Sequence, residues 1–336
     1  MKKEALFWDS CNDGVVKCRL CSHYCKIKEG AVGLCGVRKN EAGRLYSLIY
    51  GSCSGVAQDP IEKKPLNHFY PGSVVLSLGS VGCNFFCLHC QNYHISTAEY
   101  QDDRLQYISP EKSVDLAKSH GCRGIAWTYN EPTIWYEYTL DSAQLAKKAG
   151  LYTVYVTNGY ITEEPLRTIS PYLDAMNVDV KAFSEDFYKK VCNASLAPVL
   201  QTCELAHRLG IHLEVTYLLI PGMNDSTDEL EQFCTWVVDS LGDSVPVYFS
   251  RFHPYFKLDN VPPTPMKTLI AAFHIAKDAG IKYPYLGNIA DEKYENTSCP
   301  FCSNLLVARQ GFTTKIIGLK DGRCIKCNAS IPIVTD

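Results

Sequence analysis

From about Ser73 to about Ile289, short β-branched runs alternate with longer stretches whose apolar residues recur at helical spacing. That alternation is the signature of repeated βα units around a parallel sheet. Val74 to Leu78 predicts the first strand, and Gly124 to Thr128, Thr153 to Thr157, Ala175 to Val180, His212 to Leu219 and Val245 to Ser250 continue the series. Helices are predicted over Pro110 to His120, Ile134 to Ala149, Glu163 to Ile169, Leu200 to Leu209, Asp228 to Ser240 and Pro265 to Ala279. Tyr283 to Leu286 is a candidate for a short seventh strand. No Gly-x-Gly-x-x-Gly follows the first strand, which weighs against the doubly wound dinucleotide-binding sheet. The pattern predicts an α/β architecture, a partial (β/α)6 barrel of TIM type. Such barrels build active sites from the residues just after each strand. Here those are GCNFFC, TYNEPT, VTNGY, VDVKAF, LIPGMND and FSRFHP. In LIPGMND, Pro221-Gly222 reads as a turn and Asn224-Asp225 as a helix cap.

Composition narrows the class. The 336 residues are 46% hydrophobic and 21% charged, the balance of a folded globular chain. A net charge of −3 gives no footprint for nucleic acid. The apolar runs fall far short of the roughly 20 residues that span a bilayer, and the N-terminus lacks the apolar core of a signal peptide. A cytoplasmic protein is expected. The 17 cysteines then point to metal rather than disulfides.

Clustered cysteines divide the chain into three expected units: an N-terminal Cys-rich module (1–70), the barrel (71–292) and a C-terminal four-cysteine module (293–336). Cys83, Cys87 and Cys90 stand at C-x3-C-x2-C directly after the first predicted strand. Thiolates are soft ligands that suit iron–sulfur clusters, and a cubane normally takes four. Three of them leave one iron open to bind a substrate; the competing reading is a zinc knuckle whose fourth ligand lies elsewhere. Cys299, Cys302, Cys324 and Cys327 form two C-x2-C pairs, the second followed by Asn328, which tolerates a left-handed turn. Their spacing reads as a zinc ribbon, with an auxiliary iron–sulfur cluster as the alternative. Cys18, Cys21, Cys25 and Cys35 form a further metal set whose metal the spacing does not name, with His23 as a candidate substitute ligand or a plain surface histidine. Closed sites of this kind would tie down modules too small for their own cores. Were all eleven clustered cysteines structural, the chain would be a zinc-dependent binding module.

The C-x3-C-x2-C loop resembles that of radical S-adenosylmethionine (SAM) enzymes. The resemblance implies a [4Fe-4S] cluster on Cys83, Cys87 and Cys90 whose open iron chelates SAM. Reductive cleavage to a 5′-deoxyadenosyl radical, hydrogen abstraction from a substrate and an electron donor such as ferredoxin or flavodoxin would follow. By the same resemblance SAM contacts fall on His89 (where the family usually has an aromatic residue), Asn130, Glu131, Asn158, Asp179 and Lys181. The bland alternatives are a helix N-terminal acid for Glu131 and an ion pair for Lys181. Arg251 and His253 are substrate-side candidates, or an ion pair and a core histidine. Stretches along nearly the whole chain, including CRLCSHYCKIKEGAVGLCGVR, DPIEKKPLNHFYPGS and YLGN, resemble the radical SAM member of the AmmeMemoRadiSam system. That implies Memo-like and AMMECR-like partners. The wider similarity is to pyruvate formate-lyase activating enzymes, so a glycyl-radical-enzyme activase acting on a partner protein is the alternative function.

Overall fold

Eight strands make one sheet in the computed structural model, which describes residues 1–98, 100–101, 105–289 and 291–335. They are β1 (Gly55–Pro60), β2 (Val74–Gly79), β3 (Gly124–Trp127), β4 (Tyr152–Thr157), β5 (Ala175–Asp179), β6 (His212–Leu219), β7 (Val247–Arg251) and β8 (Pro284–Gly287). Their order across the sheet is their order along the chain. β1 runs antiparallel to β2, and every other neighbouring pair is parallel. A parallel sheet that never reverses its strand order is wound like a TIM barrel and has no doubly wound switch point. The predicted strands therefore stand, with the seventh parallel strand present. β1 was not predicted: its sequence GVAQDP mixes a glycine, an aspartate and a proline into a run that pattern alone treats as a turn.

Helices α1 (Pro110–Ser119), α2 (Tyr136–Lys148), α3 (Glu163–Ile169), α4 (Leu196–Arg208), α5 (Thr227–Trp236) and α6 (Met266–Asp278) lie between the strands. α4 starts four residues before the predicted Leu200, because Pro198 in its first turn removes no needed N–H. α5 is capped by Ser226, whose hydroxyl accepts from the Glu229 N–H. The expected cap at Asn224-Asp225 is thus corrected: Asn224 Oδ1 takes the Ile220 N–H and Asp225 Oδ1 the Gly222 N–H, both inside the preceding turn.

The sheet packs one face against these helices, while the other receives the chain segment between β1 and β2. Asn177 donates to the Pro65 carbonyl at 2.8 Å, and the Glu214 carboxylate accepts the N–H groups of Asn67 and His68 at 3.0 and 2.8 Å. Ile61, Leu66 and Phe69 pack with Val75, Ala126, Val154 and Ala175 of β2 to β5. This segment plugs the N-terminal end of the barrel.

Both flanks are tied to the same framework. At the N-terminus, Lys3–Glu4, Arg44–Ser47 and Arg38–Glu41 form one small antiparallel sheet, and Trp8–Ser10, Val16–Cys18 and Lys26–Ile27 another. Arg38 is buried and pairs with Glu137 of α2 at 3.0 Å, also donating to the Leu6 carbonyl. At the C-terminus, the hairpin Leu305–Gln310 and Thr313–Ile316 stands beside the cysteine pairs. Its apolar residues pack on Tyr248, Tyr283 and Tyr285 at the start of β7 and β8, opposite the end where parallel barrels carry their sites.

Candidate active site

β2 delivers the chain to Gly82 at the C-terminal end of the sheet. Gly82 has φ +83°, and a Cβ there would lie 2.5 Å from the Cys35 carbonyl, so only glycine lets the loop turn against the N-terminal module. The loop carrying Cys83, Cys87 and Cys90 then docks on the segment after β5: the Phe86 and Leu88 N–H groups donate to the carbonyls of Cys192 and Val191 at 3.0 Å. From the other side, the Lys257 N–H in the loop after β7 donates to the Leu88 carbonyl, and Tyr93 stacks on Phe256 at 4.6 Å.

The strand-end residues surround this loop. Asn130 braces its entry, its Oδ1 taking the Ser80 N–H and its Nδ2 donating to the Gly82 carbonyl, both at 3.0 Å. Asn158, at the end of β4, donates through Nδ2 to Asn84 Oδ1 at 2.8 Å and reaches Cys83 Sγ at 3.8 Å. Gly159 beside it has φ +70°, and a Cβ there would sit 2.8 Å from Val178, which explains the Asn-Gly pair. Glu131 is buried and caps the turn Pro132–Trp135. Its carboxylate accepts from the Thr133 N–H, the Thr157 hydroxyl and the Asn158 N–H at 2.7–2.9 Å. Burial pushes its carboxyl above the usual range while these donors pull it back. Glu131 therefore couples the β3 loop to Asn158, close to the bland alternative weighed for it. Asp179 and Lys181 form an ion pair at 2.8 Å at the end of β5. Burial opposes the Lys181 charge, but Asp179 and the Cys87 thiol outweigh it and hold the ammonium above its ordinary value.

His89 lies buried beside Lys181 with neither ring nitrogen hydrogen-bonded. Burial, with Lys181 adding, lowers its pKa to about 3, so the ring is neutral. Three thiols on one loop together with a neutral, buried, unpartnered aromatic ring fit a cluster and the flat heterocycle of a nucleoside cofactor.

Arg251 and His253 are not drawn into this constellation. Arg251 Nε donates to the Thr264 carbonyl at 2.9 Å within its own loop, and His253 is exposed. Conversely, Cys192 lies outside the three cysteine clusters, yet its thiol hydrogen-bonds Cys87 and, with Lys181 and against burial, holds the Cys87 thiol below its ordinary value. Nothing in the sequence marks Cys192, because it is distant in the chain and has no motif around it. Ser96, six residues after Cys90, places its hydroxyl 3.3 Å from the Cys90 Sγ, and it too carries no motif.

Away from this end, Cys299, Cys302, Cys324 and Cys327 bring their Sγ atoms within 4.8 Å of one another, as a single four-coordinate ion requires. Ser303 and Asn328, each following the second cysteine of a pair, have φ +57° and +60°, which makes the two knuckles alike. Among the described residues no helix is long and apolar enough to cross a membrane.

A profile of the radical SAM superfamily matches residues 78–234, from the end of β2 into α5. Those residues form a radical SAM domain. It is 47% identical over 336 residues to an uncharacterized protein of Methanocaldococcus jannaschii, covering 99% of both chains. To a putative glycyl-radical enzyme activating enzyme of the same organism it is 24% identical over 166 residues, 48% of this chain and 62% of that one. Among solved structures, a radical SAM methyltransferase from Sphaerobacter thermophilus superposes with a TM-score of 0.50 at 15% identity, over 65% of this chain and 67% of that one, a likeness of fold. The domain makes this chain an enzyme of the radical SAM class, which implies a [4Fe-4S] cluster and SAM.

Proposed function

We propose that Cys83, Cys87 and Cys90 bind the cluster, that His89, Asn130, Glu131, Asn158, Asp179 and Lys181 form or position the SAM pocket, and that the substrate enters past the loop after β7. One-electron reductive cleavage of SAM to a 5′-deoxyadenosyl radical is the chemistry the cofactors supply when bound. The chain's own residues do the rest. Asn158 and Asn84 hold the Cys83 end of the loop, Lys181 sets a positive charge beside Cys87, and His89 offers an unpartnered ring face to adenine. The Tyr93–Phe256 stack and the Lys257 to Leu88 bond close the mouth against water, which a reactive radical requires. The observation that carries this reading is the convergence of three motif cysteines, the orphaned His89 and the Asp179–Lys181 pair at one end of a parallel sheet. Anaerobically reconstituted protein supplied with reduced flavodoxin or dithionite is expected to release 5′-deoxyadenosine from SAM; none from wild type, or as much from Cys83→Ala, defeats it.

The protein acted on belongs to the same proposal. Motifs spread along the whole chain support work alongside Memo-like and AMMECR-like proteins in the cytoplasm. The likeness to a glycyl-radical enzyme activating enzyme supports a second reading, hydrogen abstraction from a glycine of a partner protein. A stable glycyl radical signal in a mixed partner would select it. The C-terminal tetrad is assigned to zinc on the convergence of its four thiols. The units 1–70, 71–292 and 293–336 remain the proposed division of the chain.

A further inference from the structure

We propose that Cys18, Cys21, Cys25 and Cys35 hold a second iron–sulfur cubane, and that it passes electrons singly to the cluster on Cys83, Cys87 and Cys90. These four cysteines line one cavity together with Arg38 and Asn84. Four thiolates on one zinc, each at ~2.3 Å from the ion, lie close together, as those of the C-terminal tetrad do. Among the described residues that tetrad alone has its ligand atoms all within 4.8 Å; the N-terminal four stand farther apart around their cavity, and so do the three of the cluster loop. A cubane seats each thiolate on its own iron and needs that wider spacing.

The cavity wall also carries donors without acceptors. Arg38 and Asn84 are both buried, and Arg38 Nε and Asn84 Nδ2 have no partner. Anionic sulfides are acceptors for such groups, and hydrogen bonds to sulfur tune a cluster's potential. The two cysteine sets abut. Asn84 lines the N-terminal cavity while its Oδ1 accepts from Asn158, which also reaches Cys83 Sγ. His23 Nε2 bonds the Asn84 carbonyl at 2.7 Å, a further link between the two sites.

The electron balance is simple. A reduced low-potential donor of the flavodoxin or ferredoxin class gives one electron to the N-terminal cubane, taking it from the 2+ to the 1+ state. That electron then reduces the loop cluster from 2+ to 1+, the N-terminal cubane returns to 2+, and no proton moves. The relay rests on the radical SAM reading; the existence of the second cubane does not.

The test uses full-length Cys83→Ala/Cys87→Ala/Cys90→Ala protein reconstituted anaerobically with iron and sulfide. About four irons and four sulfides per chain and a reduced-cubane electron paramagnetic resonance signal unmoved by SAM are expected. Adding Cys21→Ser and Cys25→Ser should abolish that signal. Zinc in place of iron, or a signal that survives those two changes in folded protein, overturns the proposal. Should that variant not fold, Cys25→Ser alone, at the half-buried edge of the cavity, must alter the line shape; an unchanged spectrum overturns it equally. For the relay, wild type and Cys25→Ser, each with SAM, are mixed with reduced flavodoxin and frozen at intervals. A loop-cluster signal appearing at least about tenfold more slowly in Cys25→Ser is expected, and equal rates sink the relay. Iron at the N-terminal set without any SAM-responsive signal in wild type would instead defeat the functional reading alone.

Discussion

Asn158 shows how much one side chain carries. Its backbone N–H is held by Glu131, its Oδ1 takes the Tyr160 N–H, and its amide nitrogen spans Asn84 and Cys83. Asn158→Ala removes the last two contacts while leaving the strand, so it should retain reconstituted iron yet lower 5′-deoxyadenosine formation at least about tenfold, read by chromatography of quenched reactions. His68 makes a different prediction. It is fully buried between Tyr285 and the Pro332 carbonyl, and burial lowers its pKa from 6.5 to about 3. Between those values the unfolded chain binds a proton that the folded chain refuses, so stability falls as pH drops through that window. From pH 7 to pH 5 this one group accounts for about 2 kcal/mol. Denaturant melts of His68→Gln should show a correspondingly flatter acid limb than wild type, and parallel limbs would remove His68 as the cause.

Among the elements, the joint between the N-terminal sheets and α2 is the most exposed to test. Arg38 and Glu137 are 2% and 1% exposed, so the pair was taken wholly out of water. Removing one partner leaves an uncompensated buried charge, and Glu137→Leu should cost about 3–5 kcal/mol in urea unfolding. Arg38→Met with Glu137→Leu together should recover part of that loss, since two apolar side chains need no partner. Neither residue stood out in the sequence, since each looks like any other surface charge until the fold brings them together. The same holds for β1 and the plug that follows it. Their residues carry no periodicity, and their place is set by Asn177 and Glu214 on β5 and β6, more than a hundred positions away in the chain.

Across the whole molecule, the two ends of the sheet do separate work. The C-terminal ends of the strands gather the cluster loop, Asn158 and the Asp179–Lys181 pair, while the N-terminal ends hold the plug and the four-cysteine hairpins. Removing the metal from the C-terminal tetrad should therefore lower the melting temperature without changing the SAM-responsive signal of the loop cluster. Calorimetry and electron paramagnetic resonance on Cys299→Ser/Cys324→Ser protein check this, and loss of the signal in folded protein would show the two ends to be coupled.

Periodicity and spacing were local properties, so the sequence alone determined the βα alternation, the strand ends that face the site, the C-x3-C-x2-C loop and both flanking cysteine sets. Each depends on neighbours within a few residues, where backbone geometry and ligand reach are already constrained. Tertiary structure alone decided which distant groups share a desolvated space. Cys192 against Cys87, Glu131 spent on Asn158, the orphaned ring of His89, and Asn84 standing between two sets of cysteines all arise from long-range packing. There, burial and the lack of a partner give a side chain a chemistry that its place in the chain does not announce.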